Sequence, residues 1–199
     1  MKIVISELEK KINYKLKRNF KSIGIDTAQT TGIVLLKSNN EIIDLDYMVL
    51  SYKTKDHKEI YHSMIKSFEK IFEEDYFAVI ESVFVGFSRA GSVELAKFGA
   101  FAISECVKKD MNYETISASS ARAKFGIDVR KFGKGKSKQA VSEWVKNLEI
   151  DLKDNNLVDA FVLALLGIID GLDFRSATDI AKEKKAVKKM KLKKKKGKK

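Results

Sequence analysis

Three acidic residues stand inside apolar segments, where a carboxylate is hardest to accommodate, and any fold of this chain has to solve all three. Asp26 ends the run Ser22-Ile23-Gly24-Ile25, Glu81 follows Phe77-Ala78-Val79-Ile80, and Asp159 lies within Leu157-Val158-Asp159-Ala160-Phe161-Val162-Leu163. A buried carboxylate must be protonated, paired or bound to a cation, because desolvating its charge is costly. Each acid alone reads as a strand-end turn residue, an ion-pair partner or a helix residue facing a wet groove. Together, at the end of one apolar strand, within another and on an apolar helix, they point to a shared metal. Carboxylates without His or Cys partners suit the hard ions Mg²⁺ and Mn²⁺, whose commonest work is on phosphates.

The order of elements around these residues predicts an α/β fold. Proline is absent, so boundaries are read from glycine, polar clusters and periodicity. Residues 22–26 read as a strand, 27–31 as a polar turn and 32–37 as a returning strand; Asn39-Asn40 then signals a hairpin into the β-rich stretch 41–52. That makes a three-strand antiparallel meander. Ile60, Met64, Ile65, Phe68, Ile71 and Phe72 recur at helical spacing and lead into the apolar strand 77–84. A second helix follows over 88–109, a fifth strand over 113–118, a short helical stretch over 119–125, and helices over 137–148 and about 155–171. Strands joined through crossover helices form parallel pairs, so the expectation is a five-stranded mixed sheet flanked by helices.

Net charge is distributed unevenly. The formal +12 resolves into +11 over residues 181–199, which hold twelve lysines and one glutamate, +5 over residues 1–21, and −4 over the remainder. The expected organisation is therefore a basic N-terminal arm at 1–21, one domain at 22–175 and a disordered lysine-rich tail at 176–199. Residues 2–18 read equally as a short amphipathic helix or a frayed arm. A solvated lysine tail binds nucleic acid through counterion release, independently of sequence. A single cysteine, Cys106, excludes a disulfide framework and a cysteine zinc cluster. No run approaches the about 18 apolar residues of a membrane span, and the N-terminus lacks a signal-peptide core, so a soluble cytoplasmic protein is expected.

The motifs carry a more specific likeness. Gly24-Ile25-Asp26 with Thr31-Gly32, Ile80-Glu81-Ser82-Val83-Phe84 followed by Ser92-Val93-Glu94-Leu95-Ala96-Lys97-Phe98-Gly99, and Asp159-Ala160 opening an apolar helix resemble, in that order, the RuvC family of Holliday-junction resolvases, within the RNase H-like superfamily. The resemblance covers about residues 22–172. It implies an RNase H-like fold and an Mg²⁺-dependent crossover-junction endodeoxyribonuclease, Mn²⁺ substituting, that nicks branched DNA symmetrically as a homodimer; no obligate protein partner is inferred. The basic ends suggest a phage or virus branch of that family. Asp26, Glu81 and Asp159 would hold the metal. The family often has an acid or histidine three positions before the last aspartate, where this chain has Asn156. Asn156 shares a helical face with Asp159 at about 100° per residue. Asp154 is the nearest acid and reads equally as a fourth ligand or as the cap of the helix, and Asp151 is a remoter choice.

Phe84 matches an aromatic that stacks on bases near the junction centre, and reads equally as strand-end core. Lys124 and Lys138 fall near the family's basic residues. From the residues themselves, 122–138 holds seven basic side chains (Arg122, Lys124, Arg130, Lys131, Lys134, Lys136, Lys138) and one acid, interspersed with Phe125 and Phe132. That is a phosphate-contacting surface beside an acidic site. Ala96, Gly99, Ala100 and Ala102 on the helix over 88–109 would permit close packing across a dimer interface, or equally against the sheet. Two alternative functions share these features: hydrolysis of RNA:DNA hybrids and binding of branched DNA without cleavage. The glycine-acid turn also resembles the phosphate loop of sugar kinase-like ATPases, but 199 residues cannot supply their second nucleotide-binding half.

Overall fold

The computed structural model describes residues 1–54, 56–82, 89–133 and 135–175, with the backbone alone at 89–92. Six strands form one sheet: β1 (Lys2–Val4), β2 (Lys21–Asp26), β3 (Thr30–Ser38), β4 (Ile42–Ser51), β5 (Tyr76–Glu81) and β6 (Tyr113–Ile116), in the order β1-β4-β3-β2-β5-β6. The β2-β3-β4 meander is antiparallel; β5 lies parallel to β2, and β6 parallel to β5. The helices are α1 (Ile5–Ile12), α2 (His57–Ile71), α3 (Arg89–Lys108), α4 (Ala118–Lys124), α5 (Ser137–Asn147) and α6 (Asn155–Gly167). A mixed α/β sheet with a central meander and parallel crossovers is the expected architecture, and the one difference in strand count is at the N-terminus.

Residues 1–21 are not an arm. β1 pairs with β4, and the N-terminal ammonium donates to the Leu45 carbonyl at 2.8 Å. α1 buries Ile5, Leu8 and Ile12 in the core. Glu9 Oε1 then accepts from the Leu16 amide and from Arg18, and Leu16 bridges Ile169. Apolar residues at i, i+3 and i+7 outweigh the basic composition, because a helix needs only one apolar face to dock.

The two sheet faces carry separate cores. Ile23, Ile25, Ile33, Ala78 and Ile80 pack with Ile60, Met64 and Phe68 of α2 and Phe98, Ala102 and Cys106 of α3. On the other face Val34, Leu36, Val79 and Ile116 pack with α1, α5 and α6. Every residue of α6 from Leu157 to Gly167 is buried, because the helix is wrapped by the sheet on one side and by other helices around it. No helix among the described residues is long and apolar enough to cross a membrane.

Candidate active site

Strand alternation decides where the acids point. Side chains alternate faces with a period of two, and since Ile23 and Ile25 face α2 and α3, Asp26 turns to the α6 side. Ala78 and Ile80 fix Glu81 on that same side. The parallel register pairs Ile25 with Ile80, so one further step brings Asp26 beside Glu81 at the strand ends. Asp26 is 7% exposed. Burial pushes its carboxyl up to about 9, helped by a hydrogen bond with Glu81 and the negative charges of Glu81 and Asp159, with Lys138 opposing. Asp26 thus holds its proton well above the usual carboxylate range.

Asp159 arrives because α6 presses onto the sheet at two glycines. A Cβ on Gly24 would run into the Ala160 carbonyl and the Ala164 amide, and one on Gly32 into the Asn156 carbonyl. Gly32 pairs with Asp26 across the β2–β3 hairpin, so the close approach that seats the first turn of α6 also sets Asp159 near Asp26. The glycines of the Gly24-Ile25-Asp26 and Thr31-Gly32 motifs therefore act by making room for backbone.

Asp159 is not turned wholly toward the other acids. Its Oδ1 accepts from Arg122 Nη2 at 2.9 Å, a pair with side chains 15% and 11% exposed. Arg122 Nε is buried without a hydrogen-bond partner, and an unmet buried donor costs about 1–3 kcal/mol. Asp154 caps α6, its Oδ1 accepting from the Asn156 amide at 2.7 Å. That occupies it as the helix cap, since it lies before the first turn. Asn156 offers its amide oxygen to Lys138 Nζ at 3.4 Å, and Lys138 also acts on Asp26. Asp151 is exposed in the segment preceding the cap.

The basic stretch divides. Arg122, not Lys124, reaches the acids, because two residues along a helix rotate a side chain by about 200°. Lys124 Nζ binds the carbonyls of Asp173 and Arg175 instead. Arg130, Lys131 and Lys136 are exposed, in or just beyond the 3-10 turn Val129–Phe132 capped by Asp128. Phe125 and Phe132 are no part of that surface: both pack against the core, Phe125 on Trp144 with ring centroids 4.9 Å apart. Lys134 and Phe84 lie outside the described residues. On α3, Gly99 and Ala102 face inward while Ala96 and Ala100 are exposed.

Among the described residues no three His, Cys, Asp or Glu groups form a ready-made metal cage. The donor chemistry still fits a hard divalent cation: Asp26 and Glu81 are paired and all-oxygen, with Lys138 acting on Asp26 through charge alone and Asp159 within electrostatic reach. The pairing of Arg122 with Asp159 escapes sequence reasoning, since nothing in a seven-residue helix tells which basic side chain faces inward.

No family model matches the sequence, and no curated protein matches it either. Among solved structures the chain is similar to Thermus thermophilus RuvC, with a TM-score of 0.58 and 12% identity over 73% of this chain and 92% of that chain. It is likewise similar to T. thermophilus RuvC in complex with Holliday junction substrate, with a TM-score of 0.57 and 13% identity over 73% and 90% of the two chains. At such identity the likeness is one of fold: a mixed α/β sheet flanked by helices, similar to that of RuvC, with six strands among the described residues of this chain.

Proposed function

We propose that this protein is a metal-dependent, structure-selective endonuclease that resolves four-way DNA junctions. The observation that carries the reading is the buried Asp26–Glu81 pair, with Asp159 and Lys138 beside it, at the strand ends of a RuvC-like sheet. Asp26 and Glu81 would hold Mg²⁺ or Mn²⁺, with Asp159 as a further ligand and Asn156 within reach through its amide oxygen. Bound there, the metal would supply Lewis-acid activation of water and stabilisation of the departing 3′ oxygen. Lys138 would place positive charge against the scissile phosphate, while Arg130, Lys131 and Lys136 would hold the flanking backbone. The lysine tail would add salt-sensitive affinity that is independent of sequence. These basic ends suit a phage- or virus-type enzyme that acts on intracellular DNA without branch-migration partners.

Two symmetric nicks need two sites, which a two-fold dimer supplies. Val93, Ala96, Ala100, Ile103 and Val107 recur along α3 at alternating steps of three and four, with Val93 56% and Val107 65% exposed. That spacing is the seam of a helix pair, so α3 is the proposed dimer face.

The experiment is cleavage of a labelled synthetic four-way junction beside linear duplex, a fork and an RNA:DNA hybrid, with Mg²⁺ or EDTA. Paired, Mg²⁺-dependent nicks in opposing arms are expected. Hybrid-selective cutting would replace this reading with an RNase H-type hydrolase, and junction binding without cutting with an architectural protein.

A further inference from the structure

The geometry points to Arg122 as a positioning residue that couples DNA binding to metal binding. Its guanidinium holds Asp159 in one arrangement and a backbone phosphate in another, so that phosphate engagement releases Asp159 to join Asp26 and Glu81 around the cation. The phosphate half of this inference rests on the nuclease reading above; the Asp159 half rests on the observed ion pair.

Arg122 meets Asp159 through one bond only, Nη2 to Oδ1 at 2.9 Å, while its Nε is buried without a partner. An arginine serving as a structural counter-ion at this depth would use its fork, two parallel N–H groups on two oxygens. A phosphodiester presents two such oxygens, and the Nε–Nη2 edge matches them. The rest of α4 is anchored: Ser117 caps it, and Lys124 is tied to the Asp173 and Arg175 carbonyls. Only the Arg122 side chain need move. Its side chain is 15% exposed, so a short swing reaches the surface on which Arg130, Lys131 and Lys136 would gather the strand. Asp159, one end of the pair, then regains a free carboxylate beside Asp26 and Glu81, whose nearby cation Lys138 acts on Asp26 through charge alone. Coupling of this kind is reciprocal: DNA raises metal affinity by the factor by which metal raises DNA affinity.

The test is Mn²⁺ binding to the full chain without DNA, read by paramagnetic resonance of the free ion, together with junction affinity measured by fluorescence anisotropy with and without Ca²⁺. Arg122→Gln should bind Mn²⁺ about 5-fold or more tightly than the parent, and that gain should vanish in an Asp159→Asn background. In the parent, Ca²⁺ should tighten junction binding by about 5-fold or more, and in Arg122→Gln it should not. A gain that persists with Asp159→Asn would reduce Arg122 to a repelling charge and overturn the proposal, as would an unchanged Mn²⁺ affinity. Should Arg122→Gln fail to fold by circular dichroism, Arg122→Lys serves instead: it keeps the charge but not the fork, and should lose the DNA–metal coupling. Retained coupling there would also overturn the assignment. The expected Mn²⁺ pattern with no cleavage of any nucleic acid would sink the nuclease reading and spare this one; junction cleavage with no Arg122 effect would do the reverse.

Discussion

Asp26 carries the largest electrostatic cost at the site. Its carboxyl is held up, at about 9, against about 3.9 in an unfolded chain, so the native state binds more protons throughout that interval. Its contribution to stability is therefore greatest below the unfolded value and is lost as pH rises through about 9. Asp26→Asn should flatten the decline in urea midpoint between about pH 5 and pH 8. Mg²⁺ should raise the parent's Tm more at the upper end of that range, because metal takes the deprotonated carboxylate. Glu81→Gln tests the other half of the pair. Junction cleavage should fall on the order of 10³-fold with junction affinity retained or raised, since the basic surface is untouched. A loss of affinity at unchanged fold, in a gel-shift titration, would count against the site.

At the scale of elements, the seating of α6 on β2 and β3 decides whether the acids meet. Gly24→Ala puts a methyl into the Ala160 carbonyl and should cost about 1–3 kcal/mol, with cleavage falling more than stability because Asp159 moves away. Gly99→Ala is the contrast. Its Cβ would meet only Thr27 Oγ1, at 3.7 Å, so denaturant midpoints should be unchanged or raised, by up to about 1 kcal/mol from helix propensity. On the outer face of α3, Ala100→Glu should shift the protein from dimer to monomer in light scattering. At concentrations where the parent is also monomeric its stability should change within about 0.5 kcal/mol, because the position is exposed in the single chain. A variant that stays dimeric would move the interface elsewhere.

For the whole molecule, charge separates into a nearly balanced body and a basic end, and the two should be experimentally separable. Deleting residues 181–199, with their twelve lysines, should weaken junction affinity and leave turnover at saturating DNA intact. Its salt dependence should flatten by about 0.9 in logarithmic slope for each phosphate the tail no longer neutralises. The sequence by itself determined the order and type of the elements from β2 to α6 and singled out the three acids that the fold gathers at one end of the sheet, because periodicity and a charge set in an apolar run are local signals. It left residues 2–18 open between a short amphipathic helix and an arm, and the apolar stripe of Ile5, Leu8 and Ile12 made a docked helix there. Only the tertiary structure decided that Phe125 packs against the core and that Gly24 and Gly32 seat α6. It also decided that Arg122 rather than Lys124 answers Asp159. Each of these depends on which way a side chain faces once distant segments are packed, and that direction is set by neighbours far away in the chain.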